Sequence, residues 1–170
     1  MEWLSHIGSM ASALELVPFY ISHAINSSSG LVFIDVILIL AIHGLYILTL
    51  TRMFKRFVVE TSVSEGMLVS LFSYMIMIFL VILAHVVDII LLSIALDSLK
   101  VFPDPLVTFY YVSGMYTTIG SSSVPGPQWQ ILSMLISFCG LFAFSISGSG
   151  LFSMLGFFLA YKDKNPSVKS

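Results

Sequence analysis

The chain has 170 residues, of which 58% are hydrophobic and only 9% charged, with a mean hydropathy of +1.01 and a formal net charge of −2. Soluble domains carry charges at about a quarter of their positions, so this composition excludes one and indicates an integral membrane protein. Seven Lys and Arg are too few for a nucleic-acid surface, and no phosphate-binding glycine loop, nucleophile elbow or paired carboxylates in a cleft point to an enzyme.

Residues 1–30 begin with a stripe of Trp3, Ile7, Met10, Leu14, Val17 and Ile21, every three or four positions, with Ser5, Ser9, Ser12 and Glu15 elsewhere around the wheel. That spacing predicts a helix lying on the membrane, interrupted at Pro18 and anchored by Trp3. No Lys or Arg precedes Arg52, so the positive n-region of a cleaved signal peptide is missing.

Three spans follow. The first, "LVFIDVILILAIHGLYILTL" over 31–50, contains Asp35 and His43, and a basic linker with Arg52, Lys55 and Arg56 completes a peripheral unit, 31–65. The second starts near Gly66 and reaches about Leu99, and the third runs from about Gln128 to Ala160. Each reaches or exceeds the roughly 20 residues that cross a bilayer. The single cysteine, Cys139, rules out an intramolecular disulfide and a cysteine metal cluster, and reads as a small core residue.

Cations set the orientation. Arg52, Lys55, Arg56, Lys162, Lys164 and Lys169 share one side if the chain crosses three times, and Lys100 stands alone on the other. The positive-inside rule then places the N-terminus outside and the C-terminal tail, 161–170, in the cytoplasm. Linker and tail are too short for a regulatory domain.

Between the second and third spans lies "VFPDPLVTFYYVSGMYTTIGSSSVPGPQW". Asp104 and Pro105 form a helix start, as cap and first helical position. About a dozen apolar and aromatic residues then make a helix of about 18 Å, too short to cross. A helix that dips in and returns as extended chain fits this pattern. Non-helical backbone at membrane depth is tolerated only inside protein or beside water, so "TIGSSSV" is expected to be enclosed by several copies around an axis.

The order of outer helix, short helix, TTIG, extended segment, proline-containing turn, Trp and long helix resembles the pore domain of tetrameric potassium channels, over residues 66–160. It looks most like small bacterial proteins with this ion-channel module, whose outer helix carries a His and an acid, here His85 and Asp88 in "HVVDIILL". The resemblance implies an all-α membrane protein with three transmembrane helices, a re-entrant pore helix and an N-terminal interfacial helix, assembled as a homotetramer in the bacterial cell membrane. It also implies a filter over Thr117, Thr118, Ile119, Gly120, Ser121, Ser122 and Ser123, with K⁺ or Na⁺ as transported ions. The expected partners are further copies of the chain and the bilayer, with an additional membrane protein left open.

In that family the filter reads TVGYG, and its backbone carbonyls replace the hydration shell of potassium. Here the positions of the tyrosine, the second glycine and the following aspartate are all serine. A carbonyl-lined filter needs alternating backbone hands, and a left-handed Ser122 would cost about 1–2 kcal/mol per subunit. The segment is closer to the shorter filters of cyclic-nucleotide-gated channels, with TIG and the prolines Pro125 and Pro127 but without their acid. The implied function is a weakly selective monovalent-cation pore, and the alternative is a non-conducting structural or sensory subunit.

In the third span, Ser145, Ser149 and Ser153 recur at intervals of four and share one face, as a hydroxyl-lined cavity would require. Gly148 and Gly150 are candidate hinges or, equally, small residues for tight packing. Phe152, Met154, Phe157 and Phe158 are candidates for a hydrophobic gate.

Ionisable residues at membrane depth are candidates for function. Counting about 1.5 Å per residue from the outer ends puts His43, His85 and Asp88 roughly 18, 21 and 16 Å down, so they can meet. The favoured reading is a hydrogen-bonded latch in which Asp88 is satisfied by a His or by Tyr110, Tyr111 or Tyr116. A proton-sensitive or metal-binding trio is the other reading. Two His and one Asp are a weak metal pattern, so neither metal nor cofactor is expected.

Overall fold

The structure is a computed structural model that describes residues 17–18, 27–61 and 66–164. Nearly all of the expected interfacial helix, and the end of the tail, lie outside the described residues. What is described is all-helical, without strands: α1 (Ser27–Thr61), α2 (Gly66–Ser98), α3 (Pro105–Tyr116), a 3-10 turn (Pro127–Trp129) and α4 (Leu132–Lys164). Three helical stretches, Gly30–Glu60, Leu71–Ser98 and Pro127–Tyr161, are long and apolar enough to cross a membrane.

Two boundaries differ from the sequence reading. The basic linker is not a loop, because α1 continues to Thr61 and carries Arg52, Lys55 and Arg56 on its last turns; "TRMFKRFVVE" contains neither Gly nor Pro to stop it. The tail likewise begins as helix, through Lys164. Helix α2 ends where Lys100 turns left-handed (φ 53°), with Val101 N–H bonded to the Leu96 carbonyl at 3.2 Å, an arrangement that satisfies a free carbonyl of the last turn.

The first span is less peripheral than its sequence position suggests. Helix α1 packs most extensively on α4 and next on α2, while α3 is wedged between α2 and α4. Val32, Val36, Ile39, His43, Ile47, Leu50, Phe54 and Val58 are the buried stripe of α1, recurring at the three- and four-residue spacing that keeps one helix face inward. Lipid tails are as apolar as these side chains, so van der Waals fit rather than water exclusion holds such helices together.

The packed side chains form two apolar clusters. One gathers Val32, Val36, Leu92, Leu96 and Phe102 around Tyr111, Val112 and Tyr116 of α3, closed by Trp129, Leu132 and Ile136. The other joins Ile47, Leu50, Phe54, Val58, Val81 and Met154. Between them along the helices lie His43 and His85. Met154 is fully buried in the second cluster, so it does not join Phe152 on the exposed side of α4, and the four-residue gate expected from the sequence loses that member.

Candidate functional site

Helix α3 starts as its sequence predicts. Asp104 is the cap, extended at φ −112° and ψ 121°, and its carboxylate accepts from Leu106 N–H at 2.8 Å. Pro105 follows at a position whose N–H needs no partner. At the other end Thr117 closes the helix, donating both its N–H (3.1 Å) and its hydroxyl (2.7 Å) to the Ser113 carbonyl. Ser137 of α4 donates its hydroxyl at 3.0 Å to the Met115 carbonyl, which also accepts from Thr118 N–H at 3.0 Å, so a neighbouring helix braces the turn that ends α3.

Two glycines let backbone meet backbone here. A Cβ on Gly140 of α4 would collide with the Tyr116 carbonyl, and one on Gly114 with the Gly120 carbonyl. The end of α3 therefore rests directly on α4, and the chain leaving α3 folds back on it through Gly120 N–H bonded to the Gly114 carbonyl at 3.0 Å.

The chain beyond Tyr116 is irregular to Gly126. Thr118 (φ 60°) and Gly120 (φ 93°) are left-handed, and Ile119 between them is not. Ser122, which a strict potassium filter would need left-handed at a cost in strain, is not left-handed: the alternation of hands ends at Gly120, and Ser123 N–H turns to the Ser121 hydroxyl at 3.1 Å. A serine hydroxyl can bond backbone two residues on, which offers this segment a local alternative to the strained conformation. Thr118, Ile119, Gly120 and Ser122 are exposed in the single chain, Ile119 at 86%, with Thr117, Ser121 and Ser123 partly covered.

The three intramembrane ionisable residues come together, and every helix contributes to their network. His43 Nδ1 of α1 lies 2.6 Å from Asp88 Oδ2 of α2. Tyr116 of α3 donates its hydroxyl to the same carboxylate oxygen at 2.8 Å, and that hydroxyl is 2.9 Å from His85 Nδ1 of α2. His43 Nε2 is 2.8 Å from the Ser147 hydroxyl of α4. The imidazole centroids are 4.8 Å apart, and His85 also stacks on Phe144 at 4.2 Å. His43, His85, Asp88, Tyr116 and Ser147 are all buried. Of the three tyrosines that could satisfy Asp88, Tyr116 does so.

Ser147 was not visible in the sequence as part of this network. It lies two residues from Ser145 and so on nearly the opposite side of α4 from the row Ser145, Ser149 and Ser153. That row is exposed together, on the side that also presents Phe138, Phe142 and Phe152. Ser145 donates back to the Leu141 carbonyl at 2.8 Å, whereas Ser153 accepts from Lys55 Nζ at 3.0 Å. Ser153 therefore shares its surroundings with a cation from the end of α1. Gly150 packs against Ile47 of α1 and Gly148 faces open space, within an unbroken helix.

Comparison of the chain with protein-family models, with curated proteins and with solved structures found no match. The channel resemblance rests on the residues themselves.

Proposed function

We propose that this chain is the protomer of a homotetrameric, weakly selective monovalent-cation pore in a cell membrane, with its N-terminus outside and its C-terminus in the cytoplasm. In this reading α3 is a re-entrant pore helix, residues 117–123 form the filter, and the exposed face of α4 lines the passage below it. One observation carries the reading: a capped twelve-residue helix, too short to cross a bilayer, runs directly into backbone that is left-handed at Thr118 and Gly120. Backbone that alternates in hand turns successive carbonyls toward one side, as an ion-coordinating ring requires.

Two further features support it. Ile119 at 86% and Val124 at 79% exposure leave apolar side chains and unpaired backbone uncovered in one chain, and neighbouring copies are the economical cover at membrane depth. Ser145 and Ser149 put hydroxyls on the open face of α4, which suits a hydrated ion. Weak selectivity follows from the short run of alternating backbone, since a filter with fewer carbonyl rings leaves the ion more of its water.

The test is flux into liposomes containing the purified chain. Uptake of both K⁺ and Na⁺ at comparable rates, with no uptake of a large organic cation, is expected. No flux of either ion would contradict conduction and favour a structural or sensory subunit with the same fold.

A further inference from the structure

We propose that His43, His85, Asp88 and Tyr116 hold a divalent transition-metal ion of the zinc class. Donor atoms of the two histidines and the aspartate lie within 4.8 Å of one another. Tyr116, one of the three tyrosines the sequence offered as partners of Asp88, adds an oxygen 2.8 Å from Asp88 Oδ2 and 2.9 Å from His85 Nδ1. Two imidazole nitrogens and a carboxylate are donors that zinc takes, and the phenol would bring the number to zinc's four, whereas calcium and magnesium ask for six or more oxygens.

His43 carries the argument. It is 2% exposed, and its Nε2 sits 2.8 Å from the Ser147 hydroxyl. With the ring proton on Nε2 and donated to that hydroxyl, Nδ1 turns a lone pair toward a carboxylate oxygen 2.6 Å away. Two lone pairs at that distance repel unless positive charge lies between them. A proton on Nδ1 fills the role poorly, because the contact is not aligned as a hydrogen bond and leaves Nδ1 without a hydrogen-bond partner. A metal ion does not have to lie on the line joining the two atoms, and binding it would open their 2.6 Å contact toward the roughly 3.3 Å edge of a tetrahedral zinc site. Metal-bound histidines commonly place the proton of their other nitrogen on a neighbouring oxygen, the position that Ser147 occupies.

Charge also balances. A divalent ion beside the Asp88 carboxylate would leave one net positive charge at membrane depth. Release of the Tyr116 hydroxyl proton to water on binding removes it, and coordination promotes that loss. A groove of about 180 Å³ between α1 and α2, walled by Ile42, Tyr46, Leu83, Ala84 and Val87, has His43 and Asp88 in its lining and leaves space beside the donors.

The test uses the full chain in detergent and does not depend on conduction, so it stands apart from the pore reading. Protein stripped with a chelator and dialysed against zinc is expected to retain about one equivalent per chain by elemental analysis, and cobalt in its place to give the intense visible absorption of a four-coordinate site. His43→Gln and His85→Gln should lose the bound metal. Tyr116→Phe, which keeps the buried ring, should bind at least about tenfold more weakly. Should the histidine variants fail to fold, the wild-type measurements and Tyr116→Phe decide. Wild type that retains no metal, a six-coordinate cobalt spectrum, folded histidine variants that bind as wild type, or unchanged affinity in Tyr116→Phe would each overturn the site.

Discussion

Tyr116 closes α3 and donates its hydroxyl to Asp88 on α2 at 2.8 Å, so the end of the short helix is tied to a membrane-length helix one residue before the irregular segment begins. In the metal-free protein, Tyr116→Phe keeps the ring and removes the donor, leaving a buried carboxylate short of a partner. The expected cost is about 1–3 kcal/mol, read as a lower thermal midpoint in detergent. Asp88→Asn added to Tyr116→Phe should cost less than the sum of the single changes, because the two groups share one interaction. Strict additivity would mean that the bond does not carry the coupling.

Gly140 and Gly148 lie on the same helix in opposite circumstances. A Cβ on Gly140 would strike the Tyr116 carbonyl oxygen and come within 2.8 Å of its carbonyl carbon, backbone that cannot swing aside, while one on Gly148 meets nothing. Gly140→Ala should therefore destabilise by about 1–3 kcal/mol as α3 is pushed off α4. Gly148→Ala should be neutral or gain up to about 1 kcal/mol from better helix propensity. Parallel unfolding curves check the pair, and equal effects would contradict the close approach of α3 to α4.

The left-handed backbone at Gly120 gives a prediction for the filter. At φ 93° an added side chain finds space but strains the backbone, at a cost of about 1–2 kcal/mol per subunit. Ser122 is not left-handed, so Ser122→Ala meets no such strain. Cation flux in liposomes should fall sharply in Gly120→Ala and persist in Ser122→Ala. The reverse order would place the critical turn at Ser122, as the potassium-channel pattern implied.

Much of this architecture was legible in the sequence because its signals are local. Asp104 and Pro105 announce the start of α3 through capping chemistry that involves only adjacent residues. The meeting of His43, His85 and Asp88 was legible for a different reason, since the fixed rise of a helix converts position into depth. What was not legible depends on rotation about helix axes and on approach between chains of contact. Tyr110, Tyr111 and Tyr116 were equal candidates until the seat of α3 on Gly140 decided which one faces Asp88. Ser147 carries no periodic signal of its own, since it falls outside the regular row at 145, 149 and 153, and its face of α4 is defined only by α1. The helical course of Arg52 to Arg56, read as a linker from its charge, shows charge and secondary structure to be separate signals. At Ser122 the backbone is not left-handed, and the Ser123 N–H bonds the Ser121 hydroxyl, a local partner that the potassium-channel pattern does not contain.

The central claim is that residues 117–123 of several copies surround one passage. Determining the assembly of the purified chain in lipid nanodiscs, with its symmetry and the position of this segment, tests it most directly. Four chains with Thr118 and Gly120 facing a common axis, and ion density between their carbonyls, is the predicted result. A monomer, or an oligomer whose residues 117–123 face headgroups or bulk water, would contradict it.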